Sequence, residues 1–380
     1  MLVVTELSSI EEAVDDIRDG KMVIVVDEED RENEGDLTMA AEKVTPEAIN
    51  FMAMQGRGLV CLPLTGERLD HLQIPLMSPK NHSAHATAFC VSIEARRDVT
   101  TGISAADRAT TVLTAIDSKS GPSDIIMPGH IFPLRCCPGG VLQRAGQTEA
   151  AVDLVRIAGL QPAGVICEIM NEDGSMARLP QLMEFSRQHG IKIISIVDLI
   201  TFRMATERFV KQIAFSPFQC DYGSFELRLY ENTLDGRHHL AFIKGDIDPS
   251  RPTLVRMHAE SVLSDVFLSS QSDTGRDLSG ALQYIEKEGA GVLVYLSMRD
   301  RERSLVAEVE GHKAGKGASA SFREFGVGAQ ILADLGLNQI RLLSNHPKKI
   351  VALKGFRLNI VEHVAIPAGG VSRKDAKTQR

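Results

Sequence analysis

The densest group of chemically useful side chains lies in residues 27–36, Asp-Glu-Glu-Asp-Arg-Glu-Asn-Glu-Gly-Asp, which hold seven carboxylates and one arginine. Carboxylates this close repel one another unless a cation or a polyhydroxyl substrate binds among them. The plainer alternative is a solvated loop with a negative surface. Two features favour a ligand site. Gly35 lets the backbone bend sharply, and the segment follows an apolar run, residues 22–26, that predicts a buried strand, beyond whose end α/β proteins bind ligands.

A second group, Arg-Ala-Gly-Gln-Thr at residues 144–148, precedes a predicted helix. An arginine offers a forked donor for phosphate, a threonine offers a hydroxyl, and a helix N-terminus offers free N–H groups. This combination indicates a phosphate site. The alternative is an ordinary helix start, with Thr148 as the N-cap and Arg144 on the surface. The pentapeptide alone leaves both interpretations open.

Two single residues could move protons. His130 lies on a short extended segment, residues 129–134, and could act as a general base or could be structural. Glu168 follows an apolar strand, where a carboxyl group can have a raised pKa and act as an acid or base, or can simply be the first solvated residue.

The elements that must position these residues alternate between helix and strand over residues 1–205, which indicates a layered α/β domain. The pattern predicts helices from Ser8 or Ser9, from Thr45 to about Gln55, and over 107–118, 149–158 and 179–189; it predicts strands over 58–64, 87–94, 164–169 and 192–196. After Arg203 the pattern changes to period-two strands with two helices, which predicts a second, α+β domain over 206–368. Residues 369–380 are basic and polar and are predicted to be a disordered tail.

Composition excludes several classes of protein. The chain has 380 residues, 43% of them hydrophobic, and a net charge of −8, which argues against nonspecific nucleic-acid binding. No apolar run is long enough to span a membrane, and the N-terminus lacks the pattern of a signal peptide. The six cysteines are scattered and show no metal-binding spacing, so we expect reduced thiols in a cytoplasmic protein.

Taken together, five motifs resemble one family. They are residues 27–36, residues 101–104 with Asp107-Arg108, residues 129–135, residues 144–154 and residues 167–170. In this order they resemble 3,4-dihydroxy-2-butanone 4-phosphate synthase of riboflavin biosynthesis over nearly all of residues 1–205. The resemblance implies a domain with a mixed sheet and flanking helices. It also implies a lyase that converts D-ribulose 5-phosphate to L-3,4-dihydroxy-2-butanone 4-phosphate and formate, with Mg2+ or Mn2+, as a homodimer.

The resemblance also assigns the site residues. It implies that His130 and Glu168 are the acid/base residues and that Glu32 binds metal. The implied substrate contacts are Arg31, Glu32, Asp36, Arg144, Ala145, Gly146, Gln147, Thr148 and Glu168. One position departs from the family, because Gln147 stands where the family has a metal-binding histidine. A carboxamide oxygen can still bind a hard cation, so Gln147 is expected to be a weaker second metal ligand.

The second domain resembles GTP cyclohydrolase II, most clearly in residues 254–260, 291–296, 328–332 and 341–347. The three zinc cysteines of that family fall on Ser261, Ser272 and Thr274, and its catalytic aspartate falls on Ser321. Neutral hydroxyls are poor zinc ligands. We therefore expect no zinc and a catalytically inactive second domain. The alternatives are a bifunctional enzyme that also opens GTP and a nucleotide-binding regulatory module.

Overall fold

The computed structural model describes residues 7–28, 31–81, 87–267, 274–298, 305–306, 309, 322–345 and 358–366; for 274–276 and 322–325 it describes the backbone alone. The chain divides into two compact units, Met1–Arg203 and Met204–Arg380. The predicted tail, residues 369–380, lies outside the described residues.

The first unit is built on a seven-stranded mixed sheet. Its strands are β1 Val23–Val26, β2 Gly35–Ala40, β3 Cys61–Leu64, β4 Ile93–Ala95, β5 Ile125–Arg135, β6 Gly164–Glu168 and β7 Lys192–Ser195. Its helices are α1 Ile10–Arg18, α2 Pro46–Phe51, α3 Gly66–His71, α4 Ala105–Ile116, α5 Gln147–Ile157 and α6 Leu179–His189, and α7 Ile196–Thr206 follows. The strand order is β4-β5-β3-β6-β2-β1-β7. The β1/β7 and β3/β5 pairs are parallel and the other pairs are antiparallel.

Helices cover both faces of this sheet, which explains why its central strands are apolar on both sides. Helices α2, α4 and α6 supply Ile49, Val112 and Leu182 to the main buried core. On the other face Ala151 of α5 packs against Ile166, and α1 contacts α5. The polar residues singled out by the sequence therefore lie at the rim of a packed three-layer structure.

Two local predictions for this unit are wrong, and a third holds in extent but not in helix type. The predicted acidic loop ends early, because β2 begins at Gly35 and takes Asp36 into the sheet. The predicted strand 87–94 is regular only at Ile93–Ala95, because the residues before it bridge to different partners, as Phe89 does to Leu134. The predicted helix from Thr45 to about Gln55 has the expected cap and length, but it leaves the α-form after Phe51 and continues as a π-helical turn, Met52–Gly56. The alternation and periodicity of apolar residues do not reveal which strands a segment will pair with or which helix type it will adopt.

The second unit has its own seven-stranded mixed sheet. Its strands are β8 Val210–Cys220, β9 Gly223–Asn232, β10 His238–Lys244, β11 Thr253–Ala259, β12 Gly291–Leu296, β13 Gln339–Leu343 and β14 Asn359–Val364. Its helices are α8 Val262–Asp265, α9 Thr274–Glu288 and α10 Phe322–Asp334. The order is β14-β13-β11-β12-β10-β9-β8, parallel from β14 to β12 and antiparallel from there to β8. The predicted fold class, two layered domains of mixed helix and strand, is confirmed.

No helix among the described residues is long and apolar enough to cross a bilayer.

Candidate active site

Two carboxyl groups far apart in sequence face each other across neighbouring strands. Asp36 is the second residue of β2, Glu168 ends β6, and the antiparallel register places them directly opposite one another. Asp36 is only 3% exposed. Burial raises the pKa of Asp36 well above its usual value, and the charges of Glu168 and Glu32 raise it further. Burial therefore favours the neutral form of Asp36, which lies beside the second carboxyl group.

A backbone N–H is aimed at Glu168. Leu59 N donates to Glu168 Oε2 at 2.8 Å. The π-helical turn ends at Arg57, which has a left-handed φ of 70°, and Arg57 Nη1 donates to Met170 O at 2.9 Å. A Cβ on Gly58 would lie 2.5 Å from the carbonyl oxygen of Glu168 and 2.6 Å from its Oε2. Position 58 therefore requires glycine, and the irregular turn is what brings the chain this close to Glu168.

The acidic loop is folded around Asp27, whose side chain is only 1% exposed. Asp27 Oδ2 accepts from Arg31 Nη1 at 2.7 Å and from Glu32 N at 3.1 Å. Its Oδ1 accepts from Glu34 N at 2.8 Å. Asp27 is thus a structural organiser, a role that sequence reasoning missed; an aspartate directly after a strand is the signal that could have revealed it.

The loop is also held from outside. Arg178, the N-cap residue of α6, donates through Nη1 to Glu32 O at 2.7 Å and to Asn33 O. The Glu32 carboxylate is 23% exposed and forms an ion pair with Arg31 Nη2 at 3.1 Å. Burial raises the pKa of Glu34, and the Glu32 charge adds to that shift. The loop therefore presents Glu32 to solvent from a fixed backbone.

Gln147 carries an unsatisfied acceptor. It is the first residue of α5 and is 7% exposed. Its Nε2 donates to Val25 O at 3.0 Å, and Val25 pairs with Asp36 across β1 and β2. Its Oε1 is buried and has no hydrogen-bond partner among the described residues. A buried amide oxygen without a partner is costly, so a ligand that accepts its lone pair would stabilise this arrangement.

The start of α5 forms the candidate phosphate site. Its N-cap is Gly146, which has no capping side chain, and Thr148 is the second helical residue. The alternative with Thr148 as N-cap is therefore wrong, because the helix begins two residues earlier than that alternative requires. Arg144 Nη1 contacts Glu149 Oε2 at 2.6 Å and Nη2 donates to Thr87 Oγ1 at 3.0 Å. A Cβ on Gly146 would lie 2.2 Å from Arg144 Nη1.

His130 lies on β5, at the same end of the sheet as Glu168. Cys61 of β3 is paired with Phe132 on one side and with Ile166 on the other. His130 precedes Phe132 by two residues and Glu168 follows Ile166 by two. The two residues are thus separated by two strand spacings, roughly 10 Å. His130 Nδ1 lies 2.7 Å from Glu94 Oε2, a partner that sequence reasoning also missed.

The groups of this site all lie within the part of the chain that matches a known family. The sequence model of the family described as 3,4-dihydroxy-2-butanone 4-phosphate synthase matches residues 11–202, the stretch that contains every group described above. The chain belongs to the 3,4-dihydroxy-2-butanone 4-phosphate synthase family. The predicted enzyme class is confirmed. A second model, described as GTP cyclohydrolase II, matches residues 211–365.

The relatives and one of the solved structures cover both units of the chain. The riboflavin biosynthesis protein RibBA of Aquifex aeolicus is 49% identical over 376 residues, covering 95% of the chain and 93% of the relative. The probable bifunctional riboflavin biosynthesis protein RIBA 1 of Oryza sativa is 45% identical over 395 residues, covering 98% of the chain and 73% of the relative.

Two solved structures are also similar. RibBX of A. baumannii, described as a two domain 3,4-dihydroxy-2-butanone 4-phosphate synthase, has a TM-score of 0.77 and 44% identity, and covers 94% of the chain and 99% of that structure. A 3,4-dihydroxy-2-butanone 4-phosphate synthase in complex with two magnesium ions has a TM-score of 0.51 and 39% identity. It covers 52% of the chain and 98% of that structure.

These findings correct the expectation that the second unit is catalytically inactive. The GTP cyclohydrolase II model matches almost the whole unit, and relatives across both units include one named bifunctional. The structure also shows polar contacts next to one of the substituted positions. His258 Nε2 and Asp265 Oδ1 lie 2.9 Å apart, and Tyr295 Oη and Ser261 N both donate to Asp265 Oδ2 at 2.9 Å. An organised polar cluster therefore surrounds the substituted position 261.

The structure gives no side-chain positions for the other three substituted residues. Ser272, Ser321 and the side chain of Thr274 lie outside the described residues. Within the described part of the chain, no group of three or more His, Cys, Asp or Glu side chains is arranged to hold a metal ion. In the first unit, a metal would therefore need the Gln147 amide, substrate or water in addition to carboxylates.

Proposed function

We propose that the first unit converts D-ribulose 5-phosphate to L-3,4-dihydroxy-2-butanone 4-phosphate and formate. The observation that supports this most strongly is the Asp36–Glu168 pair, which lies across β2 and β6 at the end of the sheet where the acidic loop begins. His130 and Gln147 belong to the same end. The reaction requires several proton transfers next to a ketone and its hydroxyls, and these groups can supply them.

Glu32 and Gln147 would hold the divalent ion. The buried Gln147 Oε1 lacks a partner, and Glu32 offers a partly exposed carboxylate. Both are hard oxygen donors of the kind that Mg2+ prefers, and Mg2+ commonly binds through one or two carboxylates while keeping several waters. Mn2+ accepts the same ligands. When bound, the ion would polarise carbonyl and hydroxyl oxygens of the substrate. A similar synthase in complex with two magnesium ions supports the use of a divalent ion.

Proton transfer is assigned to His130 and Glu168. Either can remove a proton next to the ketone, and the Leu59 N–H keeps Glu168 oriented at the end of β6. Asp36, whose pKa is raised by burial, would donate a hydrogen bond to a substrate hydroxyl. Arg31, fixed by Asp27, would contact another.

The phosphate is assigned to the start of α5. Arg144 supplies the positive charge, Thr148 a hydroxyl, and the first turn of α5 the positive end of the helix dipole. A side chain at Gly146 would displace the Arg144 guanidinium from its present position.

The test is formate release from ribulose 5-phosphate by the purified full chain, with and without Mg2+. Metal-dependent formation of formate and the four-carbon ketone phosphate is expected. Unchanged substrate at saturating Mg2+ would contradict the proposal.

The second candidate function is the opening of GTP by the second unit. The match of residues 211–365 to GTP cyclohydrolase II and the relative named bifunctional favour it. Ser261, Ser272 and Thr274 leave no zinc thiolates at the positions assigned by resemblance, so we propose that these hydroxyls bind no zinc. GTP consumption and zinc content should be measured on the same preparation. Failure to consume GTP would contradict the second function, and stoichiometric zinc would contradict the metal assignment.

We further propose a cytoplasmic homodimer that does not bind nucleic acid. The six free cysteines support the cytoplasmic location, the net charge of −8 supports the lack of nucleic-acid binding, and the homodimer rests on the family resemblance. Sedimentation equilibrium of the purified chain tests the dimer, and a monomer at micromolar concentration would contradict it.

A further inference from the structure

The imidazole of His130 is held by a side chain that no family assignment above includes. His130 Nδ1 lies 2.7 Å from Glu94 Oε2. The Glu94 side chain is 11% exposed, whereas that of His130 is 42% exposed. One ring nitrogen is thus anchored to a nearly buried carboxylate, while the rest of the ring remains accessible.

The carboxylate of Glu94 is itself fixed from helix α4. Thr111 Oγ1 accepts a hydrogen bond from Ala95 N at 3.1 Å, so its own hydrogen is free to point elsewhere. It donates to Glu94 Oε1 at 3.1 Å. Thr111 thus uses one oxygen of Glu94 as an acceptor and leaves the other, Oε2, facing His130 Nδ1. An ionised carboxylate only accepts hydrogen bonds, so it would pair with a proton on Nδ1.

The same helix closes the space around Glu94. Asp107, one turn before Thr111, accepts from Thr100 N at 3.0 Å, from Thr100 Oγ1 at 2.7 Å and from Gly102 N at 3.0 Å. This holds Gly102 against Glu94, at a φ of 91° and so close that a Cβ would lie 1.8 Å from Glu94 Oε2. Glu94 is therefore confined on the side opposite Thr111.

We propose that Glu94 is the positioning residue of His130, fixing the neutral imidazole with its proton on Nδ1 and its lone pair on Nε2. The exposed Nε2 is then the atom that takes a proton from substrate, and the Glu94 carboxylate stabilises the imidazolium that results. This inference rests on the proposed acid/base role of His130 and adds the group that sets its tautomer.

The variant that tests it is Glu94→Gln, which keeps the size of the side chain and removes its charge and one acceptor oxygen. We expect kcat for formate release to fall about 10- to 100-fold while KM changes less than about 2-fold. Thr111→Val should lower kcat by a smaller factor. The matched control is Thr110→Val, the preceding position on α4, which should leave both constants unchanged.

A second readout does not depend on turnover. The 15N shifts of the His130 ring, recorded where the imidazole is neutral, should show Nδ1 protonated in the native protein and a mixed or reversed tautomer in Glu94→Gln. Native kcat in Glu94→Gln, or an Nε2-protonated ring in the native protein, would overturn the inference. His130→Ala distinguishes failure of the role proposed for His130 from failure of the role proposed for Glu94. If it turns over normally, the proposed role of His130 fails; if it is inactive while Glu94→Gln is normal, only the role of Glu94 fails.

Discussion

Both units place polar side chains at one end of a seven-stranded mixed sheet, but the hydrogen-bond partners of these side chains differ between the two units. In the first unit the Glu32 carboxylate stays partly exposed, and Gln147 Oε1 is buried without a partner among the described residues. In the second unit His258 Nε2 and Tyr295 Oη both lie within hydrogen-bond distance of Asp265, while the buried His258 Nδ1 has no partner in the part of the chain that the structure describes. The unpartnered atom of the first site is thus an amide oxygen, a pure acceptor beside the acidic loop, whereas that of the second is a histidine nitrogen whose ring is already held by a carboxylate.

Burial shifts the pKa of an acid in the first unit and of a base in the second. It raises the pKa of Asp36, an acid, and so favours its neutral form. It lowers the pKa of His239, a base, to about 4, which also favours the neutral form. The physical cause is the same, because a buried charge loses its hydration. The consequences differ: the first shift provides a proton donor for chemistry, and the second makes folding sensitive to acid.

The largest expected effect concerns the paired carboxyls. Glu168→Gln should lower kcat for formate release about 10³-fold, because the amide can neither accept nor return a proton. The fold should be retained, since the amide oxygen can still accept from Leu59 N. Glu67→Gln, an exposed residue at the start of α3, is the control and should be fully active. Near-normal turnover by purified Glu168→Gln would remove Glu168 from the proton-transfer role.

The next largest effect is a loss of stability of the second unit in acid. An unfolded histidine titrates near pH 6.5, whereas folding lowers the pKa of His239 to about 4. As the pH falls between these values, only the unfolded chain gains the proton, so the folded unit should lose about 3 kcal/mol. Above pH 6.5 this group should have no effect.

The measurement is hydrogen exchange of β9 and β10 at pH 7.5 and 5, which reports on this unit separately. His239→Gln does not titrate and can still accept from Ser297 N, as the imidazole Nδ1 does at 3.2 Å; it should lose less stability at pH 5. The control is His238→Gln, at the exposed neighbouring position. Equal loss of protection in all three proteins would exclude His239 as the cause.

Much of this comparison was accessible from sequence. Alternating helix and strand predicted the layered fold, and the Ser9 cap and the helix Leu179–His189 fall where expected. The pairing of Asp36 with Glu168 was not accessible, since it depends on a register between strands far apart in the chain. The contacts of Leu59 with Glu168 and of Glu94 with His130 were not accessible either. The first depends on a π-helical turn, and the second depends on a neighbouring strand. Local pattern determines the elements, but long-range packing determines which polar groups meet.

A smaller effect is expected at the phosphate site. Gly146→Ala places a Cβ 2.2 Å from Arg144 Nη1 and 2.7 Å from Glu149 Oε2, so the guanidinium must move. Contacts to the phosphate exist already in the bound ground state, so KM should rise about 10-fold with little change in kcat. Gly121→Ala has no atom within 4 Å of its Cβ and serves as the control. A fall in kcat at unchanged KM would contradict the phosphate assignment.

The smallest effect should appear at Gln147. Its amide oxygen is a neutral hard ligand that no proton competes for, so metal affinity should change little with pH at this position. Gln147→His introduces a softer ligand with a reference pKa of about 6.5. It should raise affinity for Mn2+ more than for Mg2+, and it should make binding weaker at pH 6 than at pH 7.5. Calorimetric titration of both metals at the two pH values, without substrate, measures this directly. If the variant matches the native protein in affinity and in pH dependence, the unpartnered Oε1 is not a metal ligand, and Glu32 must hold the ion with substrate and water alone.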